Sequence, residues 1–222
     1  MFITERFSAD ETKALLAVCK KNGTTMHAAL GAASLLSADC GDSTRRVLTS
    51  AVDLRRRLDM PEDVMVYSVG GFDGSAAFEY NLENYGNYKD GALDIIWKLS
   101  HSIREDIVDT IDSGRLLSTY LSSGEGLVDA YKAGFLDGGC FGTVFLSNVG
   151  NESYEKNIGS FRWTEFDYVY GQFLPGGPHY HITCSTFDGC LTLNFQYVSP
   201  TIADSDAHEF ARSTISLLKK EI

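Results

Sequence analysis

Arg46-Val47-Leu48-Thr49-Ser50-Ala51-Val52-Asp53-Leu54-Arg55-Arg56-Arg57-Leu58 decides how this chain is read. The stretch reads as a strand over Val47 to Leu54 that ends in a dense cationic corner. Two helices are predicted ahead of it, and a Gly-Gly segment, Val69-Gly70-Gly71, follows. Asp53 and Arg55 lie two apart on this strand. Their side chains are therefore expected on one face, close enough to pair.

Upstream, Ser8 and Glu11 have capping-box spacing before an apolar run through Leu15, Leu16, Val18 and Cys19. Asn22-Gly23 supplies a stop. A second helix is predicted from about Met26 to Ser37, apolar nearly all round and so buried, with His27 inside it. Cys40-Gly41-Asp42 breaks it.

Downstream, Met65 to Val69 and Ser75 to Tyr80 read as extended. The apolar spacing of Leu93, Ile96, Leu99, Ile103, Ile107 and Ile111 predicts a long amphipathic helix between Asp90 and Asp112. A shorter helix is predicted over Leu117 to Ala133. Strands are predicted at Thr143 to Leu146 and Ser160 to Tyr170.

The clearest local signal is a hairpin. Leu191, Leu193, Phe195 and Tyr197 alternate with Thr192, Asn194 and Gln196, predicting a strand with one buried face. His179 to Thr186 is its partner, and Asp188-Gly189 is the tight turn. Ala207, Phe210, Ala211, Ile215 and Leu218 make a closing helical stripe. Helices and strands in this order predict an α/β chain of the α+β-like kind. It is a two-layer sandwich of helices on a mixed, largely antiparallel sheet.

Three short motifs occur in a telling order: T-x-x-A-A-L from Thr25 to Leu30, V-D-L-R from Val52 to Arg55, and S-N-x-G from Ser147 to Gly150. Together with the closing strand-turn-strand-helix, this resembles the C-terminal half of the condensation-domain and alcohol O-acyltransferase superfamily. Its fold is that of chloramphenicol acetyltransferase. The resemblance covers nearly the whole chain, so residues 1–222 are expected to form a single domain, one lobe of two. It implies acyl transfer from a coenzyme A or carrier thioester to an alcohol or amine, in a channel between the lobes. It also implies no cofactor beyond the thioester co-substrate.

The superfamily's general base lies in an H-H-x-x-x-D-G motif of the first half. No His-His pair exists in this chain, so the isolated chain is expected to be inactive. In this family the second half lines the channel and helps stabilise the oxyanion. That role falls to Ser147 and Asn148, a hydroxyl and a carboxamide at a strand end beside a glycine. Ser50, Asp53 and Arg55 are the substrate-binding candidates, and the arginine cluster suits a phosphate-bearing ligand such as coenzyme A. A non-catalytic binding protein on half of this fold is the alternative.

His179 and His181 alternate on one predicted strand face, as in a cupin-like metal site, but no carboxylate follows before Asp188. Two ligands without a third make a poor site, so no metal is expected.

The net charge of -11 argues against nucleic acid and anionic membrane surfaces as partners. The expected partners are small-molecule acyl donors and acceptors, and either the missing N-terminal lobe or a second copy. Five cysteines without a C-x-x-C pair suit a reducing compartment. With no signal pattern and no long apolar run, a cytoplasmic setting is expected. The chain is either a fragment or a natural short protein.

Overall fold

A computed structural model describes residues 1–54, 58–61, 69–70, 77–86, 93–115, 142–152, 154–169, 171, 177–220 and 222. The predicted helix over Leu117 to Ala133 and the strand residues Met65 to Ser68 lie outside the described residues, as does Arg55.

Six strands form the main sheet in the order β1 (Phe2–Phe7), β10 (Cys190–Gln196), β9 (Tyr180–Phe187), β6 (Val144–Glu152), β2 (Arg45–Ser50) and β5 (Ala77–Asn81). The pairs β1/β10, β10/β9 and β2/β5 are antiparallel; β9/β6 and β6/β2 are parallel. Two small two-stranded sheets stand apart. One joins β3 (Val52–Asp53) to β4 (Val69–Gly70), the other β7 (Asn157–Ile158) to β8 (Phe161–Arg162). The helices among the described residues are α1 (Ala9–Lys21), α2 (Met26–Ser37), α3 (Leu93–Asp112) and α4 (Asp204–Lys219). This is the mixed, largely antiparallel sheet with a helix layer that the sequence predicts.

Local chemistry sets the helix ends. Ser8 accepts from the Glu11 N–H, and the Glu11 carboxylate accepts from the Ser8 N–H at 2.8 Å, a complete capping box. Thr25 caps α2 through the Ala28 N–H at 3.2 Å. Helix α2 is the centre of the helix layer, packed against α1, α3, α4 and β6. Its Ala28, Leu30, Ala32 and Leu35 are fully buried, and each leucine so placed contributes about 2 kcal/mol. At the other end of α2, the buried guanidinium of Arg46 donates to the Leu35 and Ala38 carbonyls at 3.2 and 3.0 Å. Those carbonyls belong to the last turn, where a helix runs out of its own donors.

Three expectations need correction. The strand predicted over Val47 to Leu54 is two strands: β2 ends at Ser50, and β3 begins at Val52 in a different sheet. The strand predicted over Ser160 to Tyr170 is only β8, followed by an extended strap. The hairpin does not have one buried face but two, since Thr192, Asn194 and Gln196 are as buried as Leu191, Leu193 and Phe195.

The strap explains the second buried face. Alternation along the strands puts Thr183, Ser185, Asn194 and Gln196 on the side away from the helices. There Ser185 Oγ donates to the Phe166 carbonyl at 3.3 Å, Thr183 Oγ1 donates to the Tyr168 carbonyl, and Asn194 Nδ2 donates to that same carbonyl at 3.2 Å. Arg6 of β1 holds the strap through Asp167 at 2.8 Å and Glu165 at 3.1 Å. Lys156 reaches the hairpin turn at Asp188. A polar sheet face is thus enclosed, with Thr183, Ser185 and Asn194 donating to carbonyls of the strap.

Candidate functional site

The candidate residues Ser50, Ser147 and Asn148 gather where β2 reaches its carboxyl end against the parallel strand β6. Ligand sites of α/β sheets lie at such ends, beside helix N-termini. Ser50 is the last residue of β2 and sits in register with Leu146. The ladder between β2 and β6 stops there, with one further bond from the Ala51 N–H to the Leu146 carbonyl at 3.1 Å. Strand β6 continues past it, and Ser147 is paired only on the β9 side, with Thr183.

Ser147 and Asn148 are therefore within β6 rather than at its end. As neighbours on one strand they leave opposite faces. Ser147, only 7% exposed, shares the strap face with Thr183. Asn148 shares the helix face with Leu146 and Ser50. Its Oδ1 accepts from the Gly150 N–H at 2.8 Å, at a bulge where the pairing with β9 slips a register. Gly150 has φ +85°, which a side chain would strain. The asparagine thus shapes the bulge and keeps its Nδ2 amide as a donor group.

Ser50 has a partner that the sequence reading did not assign to it. His27 Nε2 stands 3.0 Å from Ser50 Oγ. The reading placed His27 inside a buried helix. The missed signal was Thr25: as the N-cap, it puts His27 in the first turn of α2, at the end where β2 stops. Burial holds the His27 pKa down at about 4, so its imidazole is neutral at neutral pH.

Asp53 is exposed in β3, opposite Val69 of β4. Arg55, its expected partner, lies outside the described residues. His179 precedes β9 and is exposed, whereas His181 is 3% exposed on the strap face, its ring centroid 5.1 Å from that of Phe145. Among the described residues, no three His, Cys, Asp or Glu side chains gather as a metal site. No helix among them is long and apolar enough to cross a membrane.

The fold resembles trichothecene 15-O-acetyltransferase from Fusarium sporotrichioides, at 16% identity and TM-score 0.73, over 100% of this chain and 46% of that one. It also resembles polyketide synthase associated protein 5 from Mycobacterium tuberculosis, at 17% identity and TM-score 0.60, over 98% and 50%. A condensation domain acting in chain release from the enacyloxin polyketide synthase matches at 11% identity and TM-score 0.60, over 99% and 40%. The chain spans half or less of each of these. No curated protein matches it by sequence.

These likenesses and the sheet topology define a chloramphenicol-acetyltransferase-like fold. The profile of the phthiocerol/phthiodiolone dimycocerosyl transferase C-terminus matches residues 3–153, and the chain belongs to that family.

Proposed function

We propose that residues 1–222 are one lobe of a two-lobed acyltransferase. The whole enzyme moves an acyl group from a coenzyme A or carrier thioester to an alcohol or amine, in a cytoplasmic setting. The observation that carries this reading is the family match over residues 3–153. The half-length coverage of solved relatives supports the two-lobed part of it.

In this reading the partner lobe brings the H-H-x-x-x-D-G general base, whose imidazole takes the proton of the attacking hydroxyl or amine. This chain lines the channel. Ser147 and the Nδ2 amide of Asn148 are the donor candidates for the oxyanion, and their opposite faces mean that one of them takes the role, not both together. Ser50, Asp53 and Arg55 are the substrate contacts.

The test mixes this chain with a separately produced lobe carrying H-H-x-x-x-D-G and measures acyl transfer from acetyl-CoA to alcohols and amines. Transfer by the mixture, absent from either part and reduced ~100-fold by Ser147→Ala or Asn148→Ala, is the expected result. No complex and no transfer with any such lobe would sink the reading and leave a non-catalytic binding protein.

A further inference from the structure

We propose that His27 and Ser50 form a base–nucleophile pair through which this chain accepts a small acyl group onto Ser50 Oγ from an activated ester or thioester. This goes beyond the two-lobed reading, in which the acyl acceptor is a separate alcohol or amine. It needs no partner lobe and fails or survives independently of one.

The geometry is that of an activated hydroxyl. Nucleophile and base are 3.0 Å apart, within the range where a proton passes directly. Both sit on fixed elements: Ser50 in the last rung of the β2/β6 ladder, His27 in the capped first turn of α2. Main-chain donors belong to the same helix turn as His27. Thr25 already engages the Ala28 and Ala29 N–H groups. The N–H groups of Met26 and His27 precede them and have no acceptor within the helix, as helix geometry dictates. A carbonyl attacked at Ser50 would develop its negative charge at this helix end, where such donors and the helix dipole stabilise it.

The step balances without a further reactant. The Oγ–carbonyl carbon bond forms as the bond from that carbon to the leaving sulfur or oxygen breaks. The Ser50 proton moves to His27 Nε2 and then to the departing thiolate or alkoxide, which returns the imidazole to its neutral form. The proton on the resting ring is then on Nδ1. Burial, which keeps the ring neutral, keeps this lone pair available well below neutral pH. Ser50 is 1% exposed, while His27 is half-buried. The reacting acyl group must therefore be small and enter beside the imidazole. The same enclosure limits water, so the ester accumulates as one adduct per chain rather than turning over.

The probe is p-nitrophenyl acetate, with nitrophenol release followed by absorbance and the adduct located by peptide mass mapping. We expect one equivalent released and one acetyl group on Ser50. The rate should stay flat from about pH 8 down to about pH 6, where an ordinary histidine base would already be losing its lone pair. His27→Gln preserves a hydrogen bond to Ser50 but cannot take its proton, and should slow labelling ~100-fold. Circular dichroism checks that this variant is folded, and mapping of the unaltered chain needs no variant at all. Acetylation that spares Ser50, or a folded His27→Gln chain that labels as fast as the parent, would show that the bond merely ties α2 to β2.

Discussion

Gly31 of α2 faces Leu48 of β2 so closely that a Cβ on the glycine would meet Leu48 Cδ2 at 2.9 Å. Leu48 is fully buried and has no solvent to move into. The glycine therefore sets the distance between helix layer and sheet. Gly31→Val should destabilise the fold by about 1–3 kcal/mol through overpacking. Urea unfolding checks it; an unchanged midpoint would mean that the layers can part there at no cost.

Thr183 carries the strap. Its hydroxyl donates to the Tyr168 carbonyl and accepts from Gln196 Nε2 at 3.3 Å, in a fully buried position. Thr183→Val keeps the shape and removes the hydroxyl, taking from the Tyr168 carbonyl one of its two side-chain donors and from Gln196 Nε2 this acceptor. A loss of about 1–3 kcal/mol is expected, together with faster amide exchange over residues 163–169. Exchange unchanged in that segment would show that the strap is held elsewhere.

Acid should weaken the fold before the carboxylates titrate. Burial lowers His27 and His181 from 6.5 to about 4. Between those values the unfolded chain takes up protons that the folded rings refuse. Stability is thus complete above pH 6.5 and falls as pH drops toward 4. For the deeply buried His181 the full loss is on the order of 3 kcal/mol. Urea midpoints from neutral pH to pH 4.5 test this. His181→Gln should flatten part of the slope, and an equal slope in that variant would contradict the assignment.

Self-association is expected through the strap and its hairpin. Tyr154, Ile158, Phe161, Trp163 and Val169 are all exposed, Phe161 by 77%. Apolar surface gathered on one segment marks a contact site. Sedimentation velocity over a wide concentration range should show a monomer–dimer shift that Phe161→Ser weakens. A species that stays monomeric at high concentration would rule this contact out.

Much of the fold is legible locally, and the reasons are specific. Helix α1 announces itself through Ser8 and Glu11, and the β9–β10 hairpin through Asp188-Gly189, where both residues have positive φ. Strand β1 was not predicted, because among the described residues its ladder is to β10, nearly the whole chain away. Nothing near Phe2 to Phe7 encodes that pairing. The strap was misread as a strand for a related reason. Its aromatic alternation suits a ladder, but its carbonyls bond to side chains on a sheet face. The candidate site was half legible. Ser50 stands out as a polar group closing an apolar strand, and Ser147 and Asn148 as polar groups that follow the apolar run Val144 to Leu146. The approach of His27 to Ser50 is a tertiary event between a helix start and a strand end, and no spacing rule reports it.

The strap also bears on how this sequence can change over time. Ser185, Thr183 and Asn194 grip it by main-chain oxygens, which every amino acid possesses. Selection can therefore rewrite most of residues 163–169 while the sheet face stays covered. Drift should concentrate in the strap, and constraint should fall on the three donors beneath it and on the Arg6 anchor.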